Sequence, residues 1–137
     1  DPGGERVIVL GGRTRDEQTL YAIDLASGAR QTLSSAESPS GWQFELAGVD
    51  IDASTRRIVV VESDSRLSTN IFEVAPDGGQ RRVISGMNTP DSADAIRTPS
   101  SIALDYERQR AWVTTGRSGQ IYLVDLVTGA RVLMWGL

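Results

Sequence analysis

A chain of 137 residues with 39% hydrophobic and 23% charged content can bury a sizeable core, which sets disorder aside. It has no Cys and no His, and all 14 basic residues are Arg, which excludes disulfides, thiol nucleophiles, histidine-ligated zinc, Ser-His-Asp triads and lysine chemistry within the segment. The net charge of −4 works against a phosphate-binding surface, and no apolar run approaches the roughly 20 residues of a membrane helix, so neither nucleic acid nor membrane insertion is expected.

Residues 1–35 form the first unit. Asp1-Pro2-Gly3-Gly4 is a turn by composition, residues 6–10 and 19–25 are strands, Ser27-Gly28 is a hairpin turn, and residues 30–33 return as a polar outer strand. The chain begins at Asp1 rather than Met, which leaves room for a removed upstream segment, and no strand precedes the first turn. Residues 36–85 form the second unit. A loop over 37–45 carries Trp42 and Phe44, and 49–52 is an inner strand. Ile58-Val59-Val60-Val61 is apolar on both faces, because consecutive strand residues point opposite ways. Strands at 70–74 and 81–84 follow, joined by Asp77-Gly78-Gly79. Residues 86–137 hold a Pro-, Ser- and Asp-containing link to Pro99, where a helical turn near 91–96 is conceivable, and then a third unit of four strands.

The three units are one repeat. Asp precedes Arg by five positions at Asp1/Arg6, Asp52/Arg57 and Asp105/Arg110, spaced by 51 and 53 residues. Gly28, Gly78 and Gly129 follow the third strand of each unit at spacings of 50 and 51. A four-strand repeat of this period, with a middle strand apolar on both faces, selects a β-propeller among all-β folds. The expected fold is all-β: an arc of about three four-stranded antiparallel blades, the first lacking its inner strand. Its two end faces should be apolar, either because the chain is part of a longer ring cut within a blade at Asp1, or because two chains pair; the missing strand favours the former.

Residues 100–131 carry Ile102-Ala103-Leu104-Asp105, Ala111-Trp112-Val113-Thr114, Thr115-Gly116-Arg117 and Ile121-Tyr122. This order resembles the YWTD and NHL repeat families of TolB-like propellers, with Thr114 replacing the acidic residue of a YWTD core and Glu62 standing where NHL-like blades carry Asp. Val124-Asp125-Leu126-Val127-Thr128-Gly129 is also similar to YVTN-type and quinoprotein-type propellers. The resemblance implies a six-bladed ring and favours a secreted or periplasmic address; exclusive Arg usage suggests a GC-rich, bacterial coding sequence.

In an up-and-down blade the longer connections share one face, and loops on a rigid scaffold usually carry function. The binding candidates on that face are Trp42, Phe44, Glu62, Asp64, Arg66, Asp91, Asp94, Arg97 and Arg117, with Arg13 and Arg15 beside them. Trp42 and Phe44 either plug a blade junction or offer a stacking surface. Glu62 and Asp64 either solvate a loop or, with other carboxylates, hold Ca²⁺, although no calcium motif is present. Asp91 and Asp94 read as caps. The Asp52/Arg57 and Asp105/Arg110 pairs and the strand residues Trp112 and Trp135 read as structural, and the scattered Arg as solvated surface. The sequence therefore points to a non-catalytic binding or scaffold propeller for a protein or glycan, needing no cofactor and completed by further blades or a second chain. The alternative is part of a divalent-cation-dependent hydrolase similar to the gluconolactonase and regucalcin family, whose metal positions correspond to Glu45-Leu46 and Ser100-Ser101 and supply one carboxylate here.

Overall fold

The computed structural model describes residues 4–12, 17–35, 45–63, 69–86, 89 and 95–136. Within them lie eleven strands: β1 (Arg6–Gly11), β2 (Thr19–Asp24), β3 (Arg30–Ser35), β4 (Glu45–Ile51), β5 (Ile58–Ser63), β6 (Thr69–Val74), β7 (Arg81–Ser85), β8 (Pro99–Asp105), β9 (Arg110–Thr115), β10 (Ile121–Asp125) and β11 (Arg131–Trp135). They form three antiparallel sheets in simple chain order: β1–β3, β4–β7 and β8–β11. The count of three, four and four strands is the one expected from the repeat. Residues 91–94, most of the conceivable helical turn, lie outside the described residues.

The sheets pack face to face like successive blades. β4 lies against β8, and β1 approaches β4. The run at β5 explains why the middle blade is apolar on both sides. Ile58 and Val60 join Leu20, Ala22, Leu33, Phe72 and Val74 in the core between the first two sheets. Val59 and Val61 turn the other way, into the core with Ile71, Ile84, Ile102, Ala111, Val113, Tyr122 and Val124. Polar bonds add to the packing between the first two blades. Arg6 Nη1 donates to the Pro76 carbonyl at 3.0 Å, and the Leu46 amide donates to Gln18 Oε1 at 2.5 Å.

The third and fourth strands of each blade are joined by a turn with Gly in the left-handed region: Gly28, Gly78 and Gly129 have φ of 72°, 80° and 77°. Each Gly amide closes the turn on a carbonyl, of Asp24, Ala75 and Asp125 respectively. Every fourth strand then carries a bulge, which leaves Leu33, Ile84 and Met134 without a strand partner. The repeat thus extends to backbone detail.

Asp50 ties the second blade to the third. Its Oδ2 accepts from the Leu104 amide at 2.8 Å, and the Tyr106 hydroxyl approaches its Oδ1 at 3.5 Å. Burial, and then the negative charge of Asp50, push the Tyr106 phenol up from 10.0 to about 12. A phenol raised in the folded state stays neutral there while the unfolded chain ionises. Its contribution is full below pH 10 and is lost as pH climbs through about 12. The urea midpoint should therefore fall across this window, and the fall should be shallower in Tyr106→Phe. Identical pH profiles for the two proteins would contradict it.

Candidate functional site

Alternation of strand direction places the turns 25–29, 52–57, 75–80, 106–109 and 126–130 on one face of the arc. Gly11, Ser35, Ser63, Ser85 and Thr115 end their strands on the other, where the longer connections begin. Of the sequence candidates, Arg13, Arg15, Trp42, Phe44, Asp64, Arg66, Asp91 and Asp94 lie outside the described residues. Glu62, Arg97 and Arg117 are within them.

Arg97 and Arg117, distant in sequence, are brought together. The Gly116 amide donates to the Thr98 carbonyl at 3.0 Å, so each arginine is one residue from a shared hydrogen bond. Both are exposed. The supports beneath them are firm. Ile96 is fully buried in the core between the second and third blades, and its carbonyl accepts from Thr69 Oγ1 at 2.6 Å. Across the way, Thr115 Oγ1 meets Ser118 Oγ at 2.7 Å and accepts from the Gln120 amide at 3.0 Å. Ser100 Oγ lies 3.1 Å from Thr114 Oγ1 between the two segments. Two exposed arginines thus stem from neighbouring, braced backbone segments.

Glu62 lies toward the loop-face end of β5, as its sequence position suggests, but it does not solvate a loop. It is fully buried at the end of β5, and its Oε2 accepts from Arg81 Nη2 at 2.9 Å. The Arg81 guanidinium stacks 3.5 Å above the Phe72 ring. Burial lowers the Arg81 pKa, while the charge of Glu62 and their hydrogen bond oppose the fall. Arg131, in the corresponding place on β11, is also buried. Its Nε donates to Ser85 Oγ at 2.7 Å and its Nη2 to the Thr69 carbonyl at 2.6 Å, both on the preceding blade. Burial lowers its pKa as well, against a smaller opposing influence of Tyr122. The reading of the arginines as solvated surface is therefore corrected at Arg81, which bonds Glu62 of its own blade inside the junction, and at Arg131, which bonds the preceding blade.

The turn face holds a feature that sequence reasoning missed. Glu73 is bonded by both Arg57 and Arg82, the latter at 2.7 Å. Around this trio lies a cleft of about 420 Å³ reaching Pro76 and Gln80, and beside it one of about 250 Å³ reaching Asp52 and Leu126. Glu73 and Arg82 face each other across the hairpin, a signal available from their symmetric spacing about the Asp77-Gly78 turn. The Asp52/Arg57 and Asp105/Arg110 pairs meet across their turns through the backbone: the Asp52 amide donates to the Arg57 carbonyl at 2.9 Å, and Asp105 stands opposite Arg110 in the ladder, while their side chains go elsewhere. Asp52 accepts from Ser54 and Thr55, Arg57 turns to Glu73, and Asp105 pairs with Arg108 at 3.1 Å. Each turn satisfies its Asp locally, which frees the strand-opening Arg. Among the described residues, no three His, Cys, Asp or Glu side chains gather where a metal ion could be held.

No family model and no curated protein matches this sequence. Solved structures do match in shape. A nidogen/laminin complex superposes with a TM-score of 0.65 at 19% identity, over 96% of this chain and 49% of the matched one. The β-propeller domain of the trilobed protease from Pyrococcus furiosus, described as having an open velcro topology, gives 0.54 at 11% identity, over 98% and 39%. The chain thus spans about half or less of the length of these solved chains. At such identities the likeness establishes fold alone: three antiparallel blades in succession, an arc of a β-propeller.

Proposed function

We propose that the chain is a segment of a non-catalytic, protein-binding propeller, and that it recognises an acidic protein surface through the face bearing Arg97 and Arg117. The observation that carries this reading is the Thr98–Gly116 hydrogen bond, which brings arginines from two separate connections together on the loop face. Rigid placement lowers the ordering cost of binding, and the guanidinium plane suits a carboxylate. One of the solved structures it resembles is itself a complex of two proteins, nidogen and laminin. We further propose a six-bladed ring of the YWTD or NHL kind, as the blade signatures imply, at a secreted or periplasmic address.

The test uses an array of secreted protein domains beside a glycan array. An acidic protein ligand is expected. The double variant Arg97→Glu/Arg117→Glu should weaken it by roughly 10–100-fold while the melting temperature stays unchanged. Binding confined to neutral glycans, or a protein ligand indifferent to the double variant, would refute the reading. A stoichiometric calcium-dependent rise in melting temperature would instead support the hydrolase alternative.

A further inference from the structure

The turn face carries charged side chains that the repeat does not call for. At one register position of each blade, a third-strand residue stands opposite a fourth-strand residue. The pairs are Ala22 with Gln31 in the first blade, Leu123 with Val132 in the third, and Glu73 with Arg82 in the second. The scaffold builds the same hairpin twice from uncharged residues, so the charged pair of the middle blade is not a requirement of the fold. Arg57, just ahead of β5, completes a trio with it. Glu73 accepts from Arg57 Nη1 and from Arg82 Nη2, the latter at 2.7 Å.

In this trio the carboxylate lies beneath and the guanidinium groups lie outside. The Glu73 side chain is 14% exposed, against 53% for Arg57 and 61% for Arg82. Glu73 holds both planes in position and balances one of their two charges. Among the described residues each guanidinium is bonded to Glu73 alone, which leaves most of its N–H donors for a ligand. The other charges at the site are engaged elsewhere: Asp52 accepts from Ser54 and Thr55 of its own turn, and Arg81 is paired with Glu62. The trio lines both turn-face clefts, which therefore run together as one groove across the second and third blades. Exposed Gln80 stands at one end. At the other, Leu126 packs against the core between these blades. Val127 beside it is 72% exposed, an apolar side chain in a turn where polar residues are usual.

We propose that this groove binds an extended segment of a partner protein that carries a carboxylate side chain close to an apolar one. The carboxylate sits between Arg57 and Arg82, the apolar side chain rests on Leu126 and Val127, and the Gln80 amide bonds the backbone of the segment. The single net positive charge of the trio matches a singly charged carboxylate, with the guanidinium forks held in advance. A phosphate dianion would meet stronger repulsion from Glu73 and Asp52. The groove lies on the opposite face from Arg97 and Arg117, so this contact is independent of the one proposed there.

Fluorescence anisotropy with the intact protein tests this, using short acetylated and amidated peptides that hold one Glu next to one Leu among Ala and Ser residues. These should bind with a Kd on the order of 100 μM. Gln in place of the peptide Glu, or Ser in place of its Leu, should weaken binding by roughly tenfold. Arg82→Gln and Val127→Asp should each weaken it by a similar factor without moving the melting temperature, since both side chains are exposed. Arg110→Gln, at the repeat position of Arg57 but on the third blade, should leave the affinity unchanged. Absence of binding up to about 1 mM peptide, or affinity indifferent to Arg82→Gln and Val127→Asp, overturns the proposal. Tighter binding of the phosphoserine peptide than of the Glu peptide overturns the carboxylate assignment, and hexanoate binding as tightly as the peptide overturns the partner segment.

Discussion

Gly129→Ala is expected to lower the unfolding free energy by about 2–5 kcal/mol, with Gly78→Ala close behind. Two costs add. An L-residue in the left-handed region loses about 1–2 kcal/mol, and forcing a methyl into a packed junction costs about 1–3 kcal/mol more. The backbone cannot yield cheaply, because the atoms met are the carbonyls of Leu33 and Ile84 within bulged strands; at Gly129 the Thr89 methyl adds a contact at 2.6 Å. Gly28→Ala, with the same φ and open space, should lose only the first part, about 1–2 kcal/mol, when measured in dilute solution. Urea denaturation with unchanged m-values reads all three. Equal losses at the three glycines would mean that their role is confined to the turn.

Arg81→Ala should cost a similar amount by a different route. Its side chain is 8% exposed and that of Glu62 is 1% exposed, so truncation removes a cationic partner from a carboxylate buried in the junction between the first two blades. Breaking a buried pair by removing one partner costs about 3–5 kcal/mol, whereas replacing both with apolar residues of similar volume is often near neutral. The double variant Glu62→Met/Arg81→Met should therefore recover most of the loss, and thermal melts of the two variants make the comparison. A double variant as unstable as the single one would show that the pair's further contacts, and not its desolvated charge, set the stability. The packing of Arg81 on Phe72 would then be the next place to look, since arginine's stem and plane also contribute contact.

The repeat made much of this fold legible. Gly28, Gly78 and Gly129 recur at one period because each hairpin turn demands the same left-handed backbone, and a demand that local is written where it acts. The run Ile58–Val61 announced a strand buried on both faces, and the two cores that share it are the consequence. The arginines were not legible in this way. Arg131 is satisfied by a carbonyl 62 residues away in the chain, and no local pattern distinguishes it from the exposed Arg30 at the same repeat position. Glu62 likewise follows an apolar strand and leads into a connection, which reads as a surface position until the neighbouring blade covers it.

The proposed binding face divides along the same line. Arg97 and Arg117 are recognisable one by one as loop residues, but only the Thr98–Gly116 bond makes them a pair. The cleft around Glu73 needed a hairpin and a neighbouring strand turn to bring Arg57 and Arg82 to one carboxylate. Sequence by itself determined the all-β class, the strand number and the turn chemistry, because these rest on side-chain alternation and backbone conformation within a few residues. Tertiary structure alone decided which arginines are buried and which loops touch, because these depend on what a separate blade places against them.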